Sequence, residues 1–166
     1  MTYYVSAEKF AELFPNAASD AYDRFVWDAQ KYVDNATMTV DGTKKLQIAF
    51  PTNEDDAEAV QRCVSAVINA LSEVDAARQA ANAASGYVAT EGGYRSANIR
   101  SVSAGGESIT YAVDDTIETD VAKAAKSNGE LKAYVMTIVE SYLRGVQDDN
   151  GVNLLFGGCY PVRRWC

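Results

Sequence analysis

Apolar residues recur at helical spacing over four stretches of the chain. In "SAEKFAELFP", Phe10, Leu13 and Phe14 share one face. Ser6 stands where a helix N-cap belongs and Pro15 ends the pattern. In "SDAYDRFVWDAQKYVDNAT", Tyr22, Phe25, Val26, Ala29, Val33 and Ala36 repeat in the same way, with Ser19 as the expected cap and Asp20 and Asp23 in the first turn. The clearest helix is "TNEDDAEAVQRCVSAVINALSEVDAARQAA". There Ala57, Val60, Val64, Val67, Ile68, Leu71 and Val74 form one stripe. Its alanine-rich end lacks large apolar residues, which places that end at a surface or an interface. In "ELKAYVMTIVESYLRG", Leu131, Tyr134, Val135, Ile138, Val139, Tyr142 and Leu143 face one way and Gly145 is the stop.

Between these stretches the period changes. "TVDGTKKLQIAF" carries a DG turn signal, and Leu46, Ile48 and Phe50 alternate, so a β-hairpin or extended arm is expected near 38–50. Residues 85–113 are rich in Gly, Ser and Thr. "NIRSVSAGGESITYAV" reads as two short strands about an Ala104–Glu107 turn, with Ile109, Tyr111 and Val113 alternating on the second. "DDTIETDVAKAAKSNG" reads as a short helix ending at Gly129. The expected product is mainly α: a small helical bundle over 1–145 with hairpins inserted near 38–50 and 85–113, then an extended C-terminal tail over 146–166.

Composition narrows the function. The 166 residues suit one domain. The net charge of −8 repels a nucleic-acid backbone, so general DNA binding is not expected, although an acidic wall suits a channel that DNA slides through. "MTYYVSAEKF" lacks the basic and apolar pattern of a secretory signal, and no segment approaches the roughly 20 apolar residues of a membrane span. The three cysteines, Cys63, Cys159 and Cys166, lack CxxC spacing and are expected to be free thiols, Cys63 in or beside the core. Asn35-Ala36-Thr37 matches a glycosylation sequon, which carries no weight without secretion.

The chain has no histidine, which removes the usual general base and most transition-metal sites. "SAGGES", "TEGGY" and "LLFGGCY" lack the ending of a phosphate loop and read as turns. Glu54, Asp55 and Asp56 could ligate magnesium in a small enzyme, but a helix start already accounts for them. Asp148-Asp149 beside Asn150-Gly151 reads as a solvated turn, and Asp114-Asp115 as a capping pair. No cofactor is expected. Core packing accounts for Tyr22, Trp27 and Tyr142 as well as an interface does. It accounts poorly for Tyr160 and Trp165, which flank Arg163 and Arg164 after the last helix. Arg and Trp are enriched where interfaces carry most of their energy, so that tail reads as inserted into a partner.

Three stretches taken in order resemble the head–tail connector (adaptor, or head-completion) proteins of tailed bacteriophages. They are "YVSAEKFAELFPNAASDAYDRFVWDAQKYVDNAT", the hairpin "IRSVSAGGESITYAV" and the close "VESYLRGVQDDNGVNLLFGGCYPV", which is similar to the family's last helix with its Leu-Leu-aromatic-Gly tail. The chain departs from the pattern at "VQDDNGVN", where the family has a shorter join. The resemblance implies a structural virion protein with no enzymatic role. Copies of the chain, commonly twelve, would form a ring beneath the portal at the neck, assembled from the host cytoplasm. DNA would pass through without sequence-specific binding, and no membrane would be involved. On this reading Leu154, Leu155, Phe156, Tyr160, Arg163, Arg164 and Trp165 dock on the portal. Arg100, Val102, Glu107, Ile109 and Tyr111 of the hairpin meet a neighbouring copy or the next neck or tail protein. The alternative is a helical adaptor or regulatory module unrelated to virions.

Overall fold

A computed structural model describes residues 3–83, 85–90, 93–98, 101–104, 107–110 and 119–158, and the side chains of those outside 82–118. Its helices are α1 (Ala7–Leu13), α2 (Ala21–Ala36), α3 (Lys45–Ile48), α4 (Glu54–Ala83), α5 (Asp120–Lys126) and α6 (Asn128–Leu143). The fold is mainly α, a helical bundle built around α4, which packs against α2, α5 and α6.

The apolar stripe on α4 explains that position. Val60, Cys63, Val64, Val67, Ile68, Leu71 and Val74 are all buried. They meet Val26, Ala29 and Val33 from α2, and Leu131, Val135, Val139 and Leu143 from α6. Each fully buried aliphatic side chain contributes about 1.5–3 kcal/mol relative to exposure. Cys63 belongs to this core, and burial pushes its thiol up to about 12. It is therefore neutral at physiological pH, and the thiolate that reacts is nearly absent. In a Cys159→Ser/Cys166→Ser variant, Cys63 is expected to resist thiol reagents until the chain unfolds. Fast labelling of the native fold would contradict its placement.

Helix ends follow local chemistry. Ser6 Oγ accepts from Lys9 N at 3.2 Å and caps α1 as expected. Ser19 does not cap α2; the N-cap position falls on Asp20, whose carboxylate pairs with Arg24 instead. The short helix expected to end at Gly129 stops earlier. Ser127 is the C-cap of α5 and the N-cap of α6, its Oγ accepting from Glu130 N at 3.2 Å, so Gly129 lies in the first turn of α6. The two helices thus meet at a single serine whose extended backbone cannot continue either one.

Two antiparallel hairpins follow α4: β1 (Ser85–Thr90) with β2 (Gly93–Asn98), and β3 (Ser101–Ala104) with β4 (Glu107–Thr110). Ala104 pairs with Glu107, which sets the turn where the sequence puts it. The expected hairpin near 38–50 is not formed. A lone bridge joins Met38 to Lys44, and Lys45–Ile48 then coils into one helical turn. The alternation of Leu46, Ile48 and Phe50 does reflect burial, since Leu46 is buried, Ile48 exposed and Phe50 half-buried. Its cause is that single turn of helix, with Lys45 also drawn inward.

The segment after α6 folds back on the bundle. Gly145, at φ +87°, ends the helix. Residues 147–153 then close on themselves: Gln147 bridges Asn153, and Asp148 Oδ1 accepts from Asn150 N at 2.9 Å and Val152 N at 2.8 Å. Asp148 is buried, so it is not the solvated residue expected from the sequence; its carboxylate organises the loop. Leu154 N then donates to Val146 O at 2.9 Å, returning the chain to the place it left. The stretch "VQDDNGVN" is therefore a closed loop, and it delivers Leu154 into the same core that α6 completes. The boundary expected after Gly145 is absent, because 146–154 is part of the bundle.

Candidate docking site at the C-terminal segment

The site is built where residues 38–52 meet residues 146–158, and Lys45 joins them. Two positively charged residues open "KKLQI", and the first turn of α3 orients the second into the protein, fully buried. Its Nζ donates to the carbonyl oxygens of Asn153 at 3.0 Å, Leu154 at 2.8 Å and Phe156 at 2.5 Å. An ammonium carries three donors, and three acceptors satisfy all of them. Burial pulls the Lys45 ammonium below the ordinary lysine value, and the nearby Asp148 carboxylate opposes that. A neutral amine could not fill three acceptors, so the geometry demands the charged form.

Other bonds join the same two segments. Val40 N donates to Gly157 O at 3.2 Å, Asp149 N to Ala49 O at 3.3 Å, and Thr52 Oγ1 to Asp149 Oδ1 at 2.5 Å. A second buried polar group braces the 38–52 side. Asp34 accepts from Tyr4 OH at 2.7 Å and from Gln47 Nε2 at 2.5 Å. Burial, and then Asp34, raise the Tyr4 phenol well above its ordinary value, so it remains a donor. The result is a rigid seat that fixes the chain as far as Gly157.

The residues expected to dock on a partner fall into four groups. Leu154 is fully buried in the chain's own core and is not free to meet a partner, which corrects its assignment. Leu155 is half-buried against that core. Phe156 is 52% exposed, its ring 5.9 Å from Lys45 Nζ. Tyr160, Arg163, Arg164 and Trp165 lie outside the described residues. Of the hairpin residues, Val102 pairs with Ile109 and Glu107 with Ala104, while Arg100 and Tyr111 lie outside the described residues.

Sequence reasoning missed the exposed apolar residues of the 38–48 segment. Met38, Val40 and Ile48 are exposed, Val40 at 82%. With Phe156 they place four large apolar side chains on the two segments that Lys45 unites, beside the point where "CYPVRRWC" begins. The signal was present in the chain, since an apolar residue next to a DG turn has little of the core within reach.

The acidic cluster keeps its simple explanation. Glu54, Asp55 and Asp56 occupy the first turn of α4, and Asn53 Oδ1 accepts from Asp55 N at 3.1 Å. Among the described residues no group of three or more His, Cys, Asp or Glu side chains could hold a metal ion, and no helix is long and apolar enough to cross a membrane. Asp114 and Asp115 lie outside the described residues, as do Cys159 and Cys166. Set against models of known families, curated proteins and solved structures, the chain matches none of them.

Proposed function

We propose that this chain is a structural subunit of a head–tail connector in a tailed bacteriophage, seated as a ring on the portal with its C-terminal residues as the anchor. One observation supports the reading most. The chain is held through Gly157 by Lys45 and Val40, so the aromatic and arginine-rich residues beyond it start from a fixed point beside exposed Phe156 and Val40. A fixed root lowers the ordering cost of an anchor segment. Repetition around a ring multiplies a modest contact through effective concentration. Head-to-tail contacts between copies close into a ring when the rotation allows, and an acidic chain of net charge −8 offers passing DNA few phosphate contacts.

In this reading the bundle forms the ring wall, the β1–β2 and β3–β4 hairpins face a neighbouring copy or the next neck or tail component, and Tyr160, Arg163, Arg164 and Trp165 contact the portal. The test is to mix the purified chain with the portal protein of the same phage and weigh the product. A complex carrying one copy of this chain per portal subunit, seen as an added ring in negative stain, is the expected result. A chain that stays free at every ratio would refute the assignment and favour an adaptor unrelated to virions.

A further inference from the structure

The bonds that fix residues 146–157 to the protein end on Val40, Lys45, Ala49 and Thr52, all in the segment that precedes α4. That segment is a middle layer, and its own hold on the bundle is narrow. Leu46 enters the core, and Asp34 of α2, which is buried, supplies the polar attachment. Gln47 Nε2 donates to Asp34 Oδ2 at 2.5 Å, and Lys44 Nζ lies 3.9 Å from the same oxygen. The other oxygen, Oδ1, accepts from Tyr4 OH at 2.7 Å. The Tyr4 ring also stacks on Phe50, with centroids 5.5 Å apart, and its amide donates to Gln30 Oε1 at 3.4 Å. One buried carboxylate is thus shared by residues at the start of the chain and by α3, which carries Lys45.

The shortness of α3 gives this sharing a consequence. A helix of 4 residues does not hold itself together and takes its position from what grips it. Lys45 and Gln47 stand two positions apart, so they do not face each other: one reaches the carbonyls of 153–156 and the other reaches Asp34. Releasing the Asp34 side lets the turn rotate, and rotation carries the Lys45 ammonium off its acceptors. We propose that Tyr4 is a positioning residue for the C-terminal seat, acting through Asp34 and α3, so that residues 3–5, 38–52 and 146–157 open as one cooperative unit. The coupling is reciprocal. A partner that draws 153–157 away from Lys45 also loosens the hold on residues 3–5, and a partner that pulls residues 3–5 away loosens the root at Gly157. The proposal concerns the free chain and holds or fails whatever the partner is.

Amide exchange of the full chain tests this. Val40 N and Asp149 N bond across the seat, to Gly157 O and Ala49 O, so their rates report its opening. The buried stretch of α4 from Val60 to Val74 reports opening of the whole fold. In the native chain the two seat amides are expected to exchange faster than those of α4. Tyr4→Phe keeps the ring on Phe50 and removes only the donor to Asp34. It should speed both seat amides by about tenfold, the scale of one hydrogen bond lost from a buried carboxylate. Gln47→Leu cuts the next link and should do the same. Seat amides no faster than those of α4 in the native chain would overturn the proposal, because the seat then has no opening of its own. So would seat rates left unchanged by either variant, because Tyr4 or Gln47 then holds Asp34 equally well with the seat open or closed.

Discussion

Replacing Lys45 with Met is expected to cost about 3–5 kcal/mol of stability, the scale seen when one member of a buried charged cluster is removed. Met keeps the apolar stem and its volume, so packing is nearly unchanged. What is lost is the donor to Asn153, Leu154 and Phe156. Three carbonyls in a buried seat are then left short of a partner, and each unsatisfied group carries a desolvation cost of about 1–3 kcal/mol. The loop can relax enough to wet part of them, which keeps the total below the simple sum. Urea unfolding of the variant checks this, and amide exchange should show the loss concentrated between Val146 and Gly157. A variant as stable as the native chain would mean that Lys45 does not hold the segment.

Deleting residues 153–166 is expected to do more, removing stability on the scale of a small domain's whole margin of about 5–15 kcal/mol. The deletion takes Leu154 from the core and leaves its site to water. It also strands the Lys45 ammonium without any of its three acceptors, and Val40 N without Gly157 O. A buried unpaired charge is the more severe of these losses. Deleting only 159–166 touches none of those contacts and should leave the transition within a few tenths of a kcal/mol, as for surface changes. Thermal melts of the two truncations should differ widely. Similar melts would mean that the fold does not extend past α6.

The contrast marks what the sequence could show. The stripe on α4 and the matching face of α6 were legible because long helices repeat their burial every three or four residues. The Ala104–Glu107 turn was legible because two glycines interrupt a period of two. The 38–50 region misled because one helical turn with Leu46 buried and Ile48 exposed imitates the alternation of a strand. Lys45 was not legible at all. Its partners lie more than a hundred residues away, and local pattern reads a lysine as a surface residue. Asp148-Asp149 beside Asn150-Gly151 reads as a solvated turn because its composition is that of one, yet Asp148 Oδ1 accepts from the loop's own amides. Leu154 falls to a partner only through the resemblance of the Leu-Leu-aromatic-Gly tail, and only the return of the chain to Val146 shows that α6 leaves a place for it.

The central claim is that the chain divides at Gly158, with everything before it belonging to the bundle and the residues after it gripping the portal. The most direct measurement compares the full chain with the 159–166 deletion for binding to the portal protein, both first shown to have the same melt. The account predicts that the full chain adds a ring to the portal and the truncated chain, though folded, does not. Equal binding of the two would contradict it.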